Sequence, residues 1–362
     1  MKPQPSMSML AAIESAPRFS TPFCHKLSPI AVRRKCSSRR RSRCIIRASV
    51  DKSRDPGPLV VVGSINADLV LQVDRLPEPG ETIAASNLET FPGGKGANQA
   101  AAAAKLGCET IMIGQIGSDS NGGFMLESLG NCGVDVGLVK PVDGPTGTAV
   151  IMLQPSGENS IVIVGGANQV TWDIGEKEQQ VVSTAGAILL QREIPDSINL
   201  AVAEIASNAG VPVVLDAGGL DAPIPNSILP HLSILSPNET ELARLTGMDT
   251  STEENVKKAA MHLISMGSDT VLVKLGAEGS MLVSGQGSDA LVERQPAFKV
   301  PNVVDTTGAG DCFTAAYAVG ILEGRSPQDA MQLAGAAASV CIQRKGAMTS
   351  LPTKAELPAG IA

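Results

Sequence analysis

The stretch "VVDTTGAGDCFTAAYAVG", residues 303–320, sets two glycines and an alanine directly before a single acid, Asp311. The small and apolar residues that follow, with no proline among them, predict a helix that begins at Gly308–Gly310. A helix start leaves backbone N–H groups without partners, and its dipole favours negative charge. Asp311 alone is accounted for as a first-turn acid that complements the dipole. The glycines need another reason, and close approach of an anion to bare backbone is one. With a phosphate against the amides of Gly308, Ala309 and Gly310, Asp311 becomes a carboxylate beside a phosphoryl group. A second glycine-rich turn, "FPGGKGANQA" at residues 91–100, also opens a helix. It does not fit GxxxxGK(S/T), and no GxGxxG with a following acid is present. Asn66 and Asp68 stand at the end of the first apolar run, in "VVGSINADLV". Their oxygens accept from hydroxyls and the amide donates, which suits a polyhydroxylated ligand; an ordinary strand-end turn accounts for the pair as well.

These residues need a frame. After a Pro/Gly hinge at residues 55–58, "LVVVG" reads as a buried strand, and similar runs recur in "ETIMIGQIG", "AGAILLQ", "VPVVLDA", "LSILSP" and "DTVLVKLG". Between them lie helical stretches, "DSNGGFMLESLGNCG", "PDSINLAVAEIASNAG" and "STEENVKKAAMHLISMG", the last amphipathic and closed by glycine. Alternation of this kind predicts a mostly parallel α/β sheet with helices on both faces, and ligands outside the carboxyl ends of its strands. Residues 67–91 and 146–164 break the alternation and read as hairpins of a small sheet, either a lid or an ordinary extra layer. The alanine run at 100–104 reads as close helix packing.

Charge is divided unevenly. Residues 1–48 hold 11 of the 29 Lys and Arg but only one of the 36 acids, Glu14, so the remainder carries 18 basic against 35 acidic residues. An acidic body argues against nucleic-acid binding, and no apolar run is long enough to span a membrane. The Arg-, Ser- and Pro-rich head has the composition of an organelle transit peptide; a disordered basic arm or a nuclear signal is the other reading. "CIIRAS" is similar to a chloroplast processing site, with cleavage near Ala48, and a mitochondrial address is second. Residues 49–57 then form a linker. Cys24, Cys36 and Cys44 fall in the head, and Cys108, Cys132, Cys312 and Cys341 are widely spaced with no CxxC pair. They read as buried small residues, and His25, His231 and His262 cluster with nothing.

Four ordered motifs carry a resemblance. "GGKGANQAAAAAKLGCETIMIGQIG" (93–117) and "DTTGAGDCFTAAYA" (305–318) resemble the two signatures of the ribokinase/PfkB family of sugar kinases, and "SPNETE" (236–241) resembles its NxxE element. "GSINAD" and "RKGAMTSLP" join these in looking most like the ribose-phosphorylating members. The similarity runs from about residue 58 to about 352. It implies a Rossmann-like kinase domain over 58–362 with a small β-sheet lid, ATP as phosphoryl donor and D-ribose as acceptor. A fructokinase-like activity is the nearest alternative, and a non-catalytic plastid scaffold protein the alternative from another class.

By the same resemblance, Asp311 is the base for the acceptor hydroxyl, and Gly308, Ala309 and Gly310 form the anion hole. The sugar falls to Asn66, Asp68, Gly94, Lys95, Gly96, Ala97, Asn98, Glu193 and Asp311. Taken by themselves, Lys95 reads as a solvated charge and Glu193 as a turn-capping acid. Nucleotide contacts fall to Asn238, Lys274, Leu275, Gly276, Ala277, Glu278, Gly279, Gly310, Asp311 and Gly335. Gly335 stands where relatives often carry a polar side chain near adenine, so backbone contacts would serve there. Asn238 and Glu241 read either as an outer-shell grip on Mg²⁺ or as an N-cap with a first-turn acid. Potassium would lie between two loops, held by the Asp305 carboxylate, the Ser350 hydroxyl and carbonyls near Thr307, Cys341, Arg344 and Gly346; the plain alternative for Asp305 is a turn or N-cap. A homodimer through the small sheet completes the expectations.

Overall fold

The computed structural model describes residues 57–361, apart from 157, 171, 286, 288 and 289. The segment read as a transit peptide, and all of the linker but Gly57, lie outside the described residues. The chain enters through β1 (Leu59–Val62), whose four side chains are all fully buried. A strand covered on both faces must be apolar at every position, which is why it reads as a continuous run. The chain then leaves the main layer for β2 (Asn66–Gln72) and β3 (Asn87–Gly93) and returns through α1 (Lys95–Lys105), β4 (Thr110–Gly117), α2 (Ser120–Asn131) and β5 (Asp135–Val142). A second excursion gives β6 (Gly147–Leu153) and β7 (Asn159–Val164). Next come α3 (Glu176–Thr184), β8 (Ala187–Arg192), α4 (Asp196–Asn208), β9 (Val213–Gly219), β10 (Ile234–Ser236), α5 (Glu239–Thr246) and α6 (Glu253–Met266). The last elements are β11 (Thr270–Lys274), β12 (Ser280–Ser284), β13 (Leu291–Gln295), α7 (Ala309–Leu322) and α8 (Pro327–Cys341).

The main sheet has nine strands in the order β13-β12-β11-β10-β9-β8-β1-β4-β5. Its ladders are parallel except β11/β12 and β12/β13. The two excursions form a separate sheet, β3-β2-β6-β7, close to the segments expected from sequence. One core cluster gathers α1, α7 and α8, the other α4, α6 and the opposite faces of the central strands. With so few aromatics, small side chains do the packing. Ala100 to Ala103 are buried on α1, which packs on α7, and a Cβ at Gly320 of α7 would stand 2.8 Å from Ala330 Cβ of α8. Helix α7 is buried at every position from Asp311 to Gly320, while Ala309 and Gly310 at its start are less covered. Cys312 and Cys341, far apart in sequence, are both fully buried in this core. Cys108 and Cys132 are only half-buried, so the expectation of four buried cysteines holds for two.

Candidate active site

Helix α7 begins as its sequence predicts, with Gly308 at the N-cap and Asp311 in the first turn. Gly308 has φ +76, and a Cβ there would lie 2.9 Å from the Ala347 backbone. Glycine at 308 therefore answers to the chain direction and to a neighbouring loop. Gly310 is different: a Cβ there would meet nothing closer than the Lys274 ammonium at 3.9 Å. Together with Gly308, Thr306 and Asp311 it lines a cleft of about 460 Å³. Ala309 departs from expectation. Its amide donates to the Thr306 carbonyl at 3.2 Å and is not free for an anion.

Asp311 is 5% exposed. Its Oδ2 accepts from Asn98 Nδ2 at 3.0 Å, and its Oδ1 lies 3.5 Å from Lys95 Nζ. Both partners come from α1, whose start is held by the protein itself. The Lys95 amide donates to Glu193 Oε2 at 3.0 Å, the Gly96 amide to Ser64 Oγ at 3.2 Å and the Ala97 amide to the Ser64 carbonyl at 2.9 Å. Ser64 in turn donates to Glu193 Oε2 at 2.6 Å. Gly94 closes the same turn by accepting from the Asn98 amide. Gly96 is required for contact: a Cβ there would stand 2.7 Å from Ser64 N and O. Ala97, expected at the sugar, packs instead in the core and is fully buried. Asn98 leaves a buried Oδ1 with no hydrogen-bond partner, an acceptor suited to a ligand hydroxyl.

Asp68 lies within the electrostatic reach of Glu193 and Asp311. Burial, then the charges of Glu193 and Asp311, push the Asp68 carboxyl up to about 7. Lys95 is the cation among them. The Asp311 charge above all, helped by Asp216, Glu193 and Glu241, raises its pKa against the opposing effect of burial. Asn66 is fixed from behind, its Oδ1 accepting from Asn168 Nδ2 at 2.7 Å. Asn168 also bonds both backbone groups of Ile65 and so pins the junction of β1 and β2.

The opposite wall of the cleft carries Asn238, Glu239, Thr240, Glu241, Lys274 and Gly276. Asn238 and Glu241 form a capping box on α5, Oδ1 accepting from the Glu241 amide at 2.8 Å and Glu241 Oε2 from the Asn238 amide at 2.7 Å. The plain reading of this pair is thus realised, at the edge of the cleft. Of "KLGAEG", Lys274 and Gly276 face the cleft and Leu275 is buried in the core. Ala277 and Glu278 are exposed outside the cleft lining, and Gly279, at φ +93, closes the turn with its carbonyl on the Leu275 amide. Gly335 lies under the Phe298 ring in α8, outside the cleft lining.

The two loops expected to enclose potassium do meet. The amides of Val304 and Asp305 donate to the Ile342 carbonyl, and Gly346 N donates to Asp305 Oδ2 at 2.8 Å. Asp305 Oδ1 accepts from Thr307 N and Oγ1, so the carboxylate also performs the plain turn role. Thr307 and Gly346 are thus tied to Asp305. Ser350 is buried and donates to the Ala347 carbonyl, beside the Cys341 thiol. The Cys341 carbonyl accepts from the Arg344 amide, while the Arg344 side chain pairs with Glu356. Among the described residues no group of three His, Cys, Asp or Glu side chains is placed to hold a metal ion.

A family model described as pfkB family carbohydrate kinase matches residues 58–354. The chain belongs to the pfkB family of carbohydrate kinases. Among family members, it is 49% identical to a ribokinase of Arabidopsis thaliana over 332 residues, covering 88% of this chain and 87% of the relative. It is 37% identical to a ribokinase of Haemophilus influenzae over 300 residues, 82% of this chain and 96% of that one. The solved structure of Arabidopsis thaliana ribokinase complexed with ribose and ATP superposes with a TM-score of 0.79 at 50% identity, covering 83% of this chain and 97% of that structure. This pfkB chain therefore has the α/β fold that its alternating runs predict, with the small sheet apart from the main one.

Sequence reasoning passed over Ser64, Gln99, Asn168, Asp216 and Thr314. Asp216 was within reach, because it ends the apolar run "VPVVLDA" as Asn66 follows "LVVVG". Asn168 had no local signal, since its partners lie about a hundred residues away.

Proposed function

We propose that the chain catalyses ATP-dependent phosphorylation of D-ribose at the O5 hydroxyl, giving D-ribose 5-phosphate and ADP. The observation that carries this reading is Asp311, held by Asn98 and Lys95 at the open start of α7, in a cleft shared with Gly310 and Lys274. Asp311 takes the O5 proton as the O5–phosphorus bond forms and the bond to ADP breaks, a role worth about 10² to 10⁴ in rate. Asn98 orients the Asp311 carboxylate, and the Gly310 and Gly308 amides face the phosphoryl oxygens. Asn66, Asp68, Glu193 and the unpartnered Asn98 Oδ1 take the remaining sugar hydroxyls. Asn238 and Gly276 line the nucleotide side. The relatives named above supply the choice of ribose over fructose, and Asp311 being intact speaks against a scaffold without activity.

Glu241 is the residue to hold Mg²⁺ through water. Carboxylates at the cleft edge, Glu241 with Glu239 nearby, fit an ion that keeps its waters and binds mainly to phosphate. When bound, Mg²⁺ would supply positive charge to the ATP phosphates. Asp305, Ser350 and the carbonyls of the loops at 305–307 and 341–346 would supply a carboxylate, a hydroxyl and carbonyl oxygens, a donor set suited to a weakly hydrated monovalent cation. Potassium there would brace the loop before α7. Asp305→Ala should then lower turnover and abolish the response to potassium together; equal rates in sodium and potassium would remove this site.

The basic head supports import into a plastid, which a fluorescent fusion of residues 1–48 tests. Among the described residues no helix is long and apolar enough to cross a membrane. β7 is an edge strand of the small sheet that exposes Ile161 at 52% and Ile163 at 62%, which favours pairing with a second copy. The activity itself is tested with ATP–Mg²⁺ and a panel of pentoses, hexoses and nucleosides, following ADP release. Ribose should lead the panel. Faster turnover of fructose or of a nucleoside, or no ADP release at all, would overturn the reading.

A further inference from the structure

Behind the cleft, one carboxylate gathers several groups that face the ligand. Asp216, in β9, is 1% exposed. Its Oδ1 accepts from the Gly218 amide at 2.9 Å. Its Oδ2 accepts from the Lys274 ammonium at 2.8 Å, the Thr314 hydroxyl at 2.9 Å and the Gln99 amide at 3.3 Å. These donors come from the end of β11, from α7 and from α1. Thr314 Oγ1 also lies 3.0 Å from the Gly310 carbonyl, so Asp216 is one side chain removed from the open glycine of α7. The turn after Asp216 makes room for the other lysine: a Cβ on Gly218 would stand 2.9 Å from Lys95 Nζ. Burial works against the charged form of Asp216, yet the ammonium charges of Lys274 and then Lys95 outweigh it and hold the carboxyl below its usual range.

A buried ion pair is weak support for a fold, since apolar residues of similar volume fill such a place as stably or better. A charge pair at this strand end therefore calls for a use. The Lys274 ammonium has three donors, of which Asp216 takes one at 2.8 Å and Thr314 Oγ1 a second, longer one at 3.5 Å, leaving a third for a ligand. It lines the cleft with Gly310 and Asp311 and stands 3.9 Å from where a Cβ on Gly310 would be. Lys95 is the cation beside Asp311, whereas Lys274 is anchored on Asp216 and lies over the glycine where an anion reaches the backbone.

We propose that Lys274 is a catalytic residue that neutralises the phosphoryl group in flight, and that Asp216 is its positioning residue, holding the ammonium over Gly310. The proposal rests on the kinase reading above. Lys274 keeps its proton throughout and donates hydrogen bonds to the phosphoryl oxygens. The O5 proton goes to Asp311, and the electron pair of the breaking bond leaves with ADP. Charge that develops only in the transition state is where a fixed cation contributes most.

The test measures turnover, the separate dissociation constants of ADP and ribose, and the affinity for aluminium fluoride with ADP–Mg²⁺ and ribose as a mimic of the phosphoryl in flight. Lys274→Met should lower kcat and the fluoride affinity by about 10²-fold or more, and the ADP and ribose constants far less. Lys274→Arg should recover part of the loss. Asp216→Asn should lower kcat about tenfold, as a misplaced group does, and should cost nothing further in the Lys274→Met background. Should Asp216→Asn alone fail to fold, the double variant, which removes both buried charges, is compared with Lys274→Met instead. Near-normal turnover in Lys274→Met overturns the proposal. So does an equal loss of affinity for ADP and for the fluoride complex, or an Asp216→Asn cost that persists without Lys274. A wild-type protein that releases no ADP with any sugar would instead sink the kinase reading.

Discussion

The two glycine-rich helix starts look alike in sequence and do opposite work. At α1 the first-turn amides are already taken, by Glu193, by Ser64 and by the Ser64 carbonyl. That turn accepts no anion; it presents the side chains of Lys95 and Asn98 to Asp311. At α7 the glycine at 310 opens on the cleft beside Lys274, with the acid next to it. A helix start is an anion site only when the protein has not supplied its own oxygens. The glycine pattern by itself does not distinguish the two cases.

The sharpest way to break the contrast is at Asp311. Asp311→Asn should lose turnover by at least about 10²-fold while ribose binding, followed by calorimetry, is retained, because the amide accepts no proton. Near-normal turnover would remove the base. The two glycines should then fail differently. Gly310→Ala has room for its methyl and should fold normally, yet lose turnover on the order of 10²-fold by displacing the phosphoryl group about 1 Å. Gly96→Ala forces a Cβ to 2.7 Å from Ser64 backbone and should cost about 2 kcal/mol in stability, read by denaturant unfolding. If both variants melted alike, the contrast would be wrong.

How much of this was legible follows the range of the interactions. The strands β1, β4, β8, β9, β10 and β11 are apolar runs because both faces are covered, and period and composition are local properties. The start of α7 was legible for the same reason. β5 and β13, with mixed exposure and charged residues, carry no such run, and neither was picked out. The supporting polar groups were hidden because their meaning is non-local. Ser64 acquires its role from Glu193, and Asp216 from Lys274 and Thr314. Glycine at 308 is also required by Ala347, a residue of another loop, which no local pattern shows.

A smaller effect separates Asp68 from its neighbours. Its carboxyl is raised in the folded state from 3.8 to about 7, so the folded protein holds a proton that the unfolded chain releases. The contribution to stability is fully present below about pH 4 and is lost as pH rises toward 7 and beyond. The melting temperature of the free protein should therefore fall, relative to Asp68→Asn, between about pH 4 and pH 7. Parallel melting curves for the two proteins across that range would contradict the assignment.

The most direct test of the contrast between the helix starts is an amide ¹⁵N–¹H titration of the protein, saturated with ribose and ADP–Mg²⁺, to which aluminium fluoride is added. The account predicts large shifts for the Gly310 and Asp311 amides and little change for those of Lys95, Gly96 and Ala97, which stay bonded to Glu193 and Ser64. Large shifts at the α1 start, with the α7 amides unmoved, would contradict it.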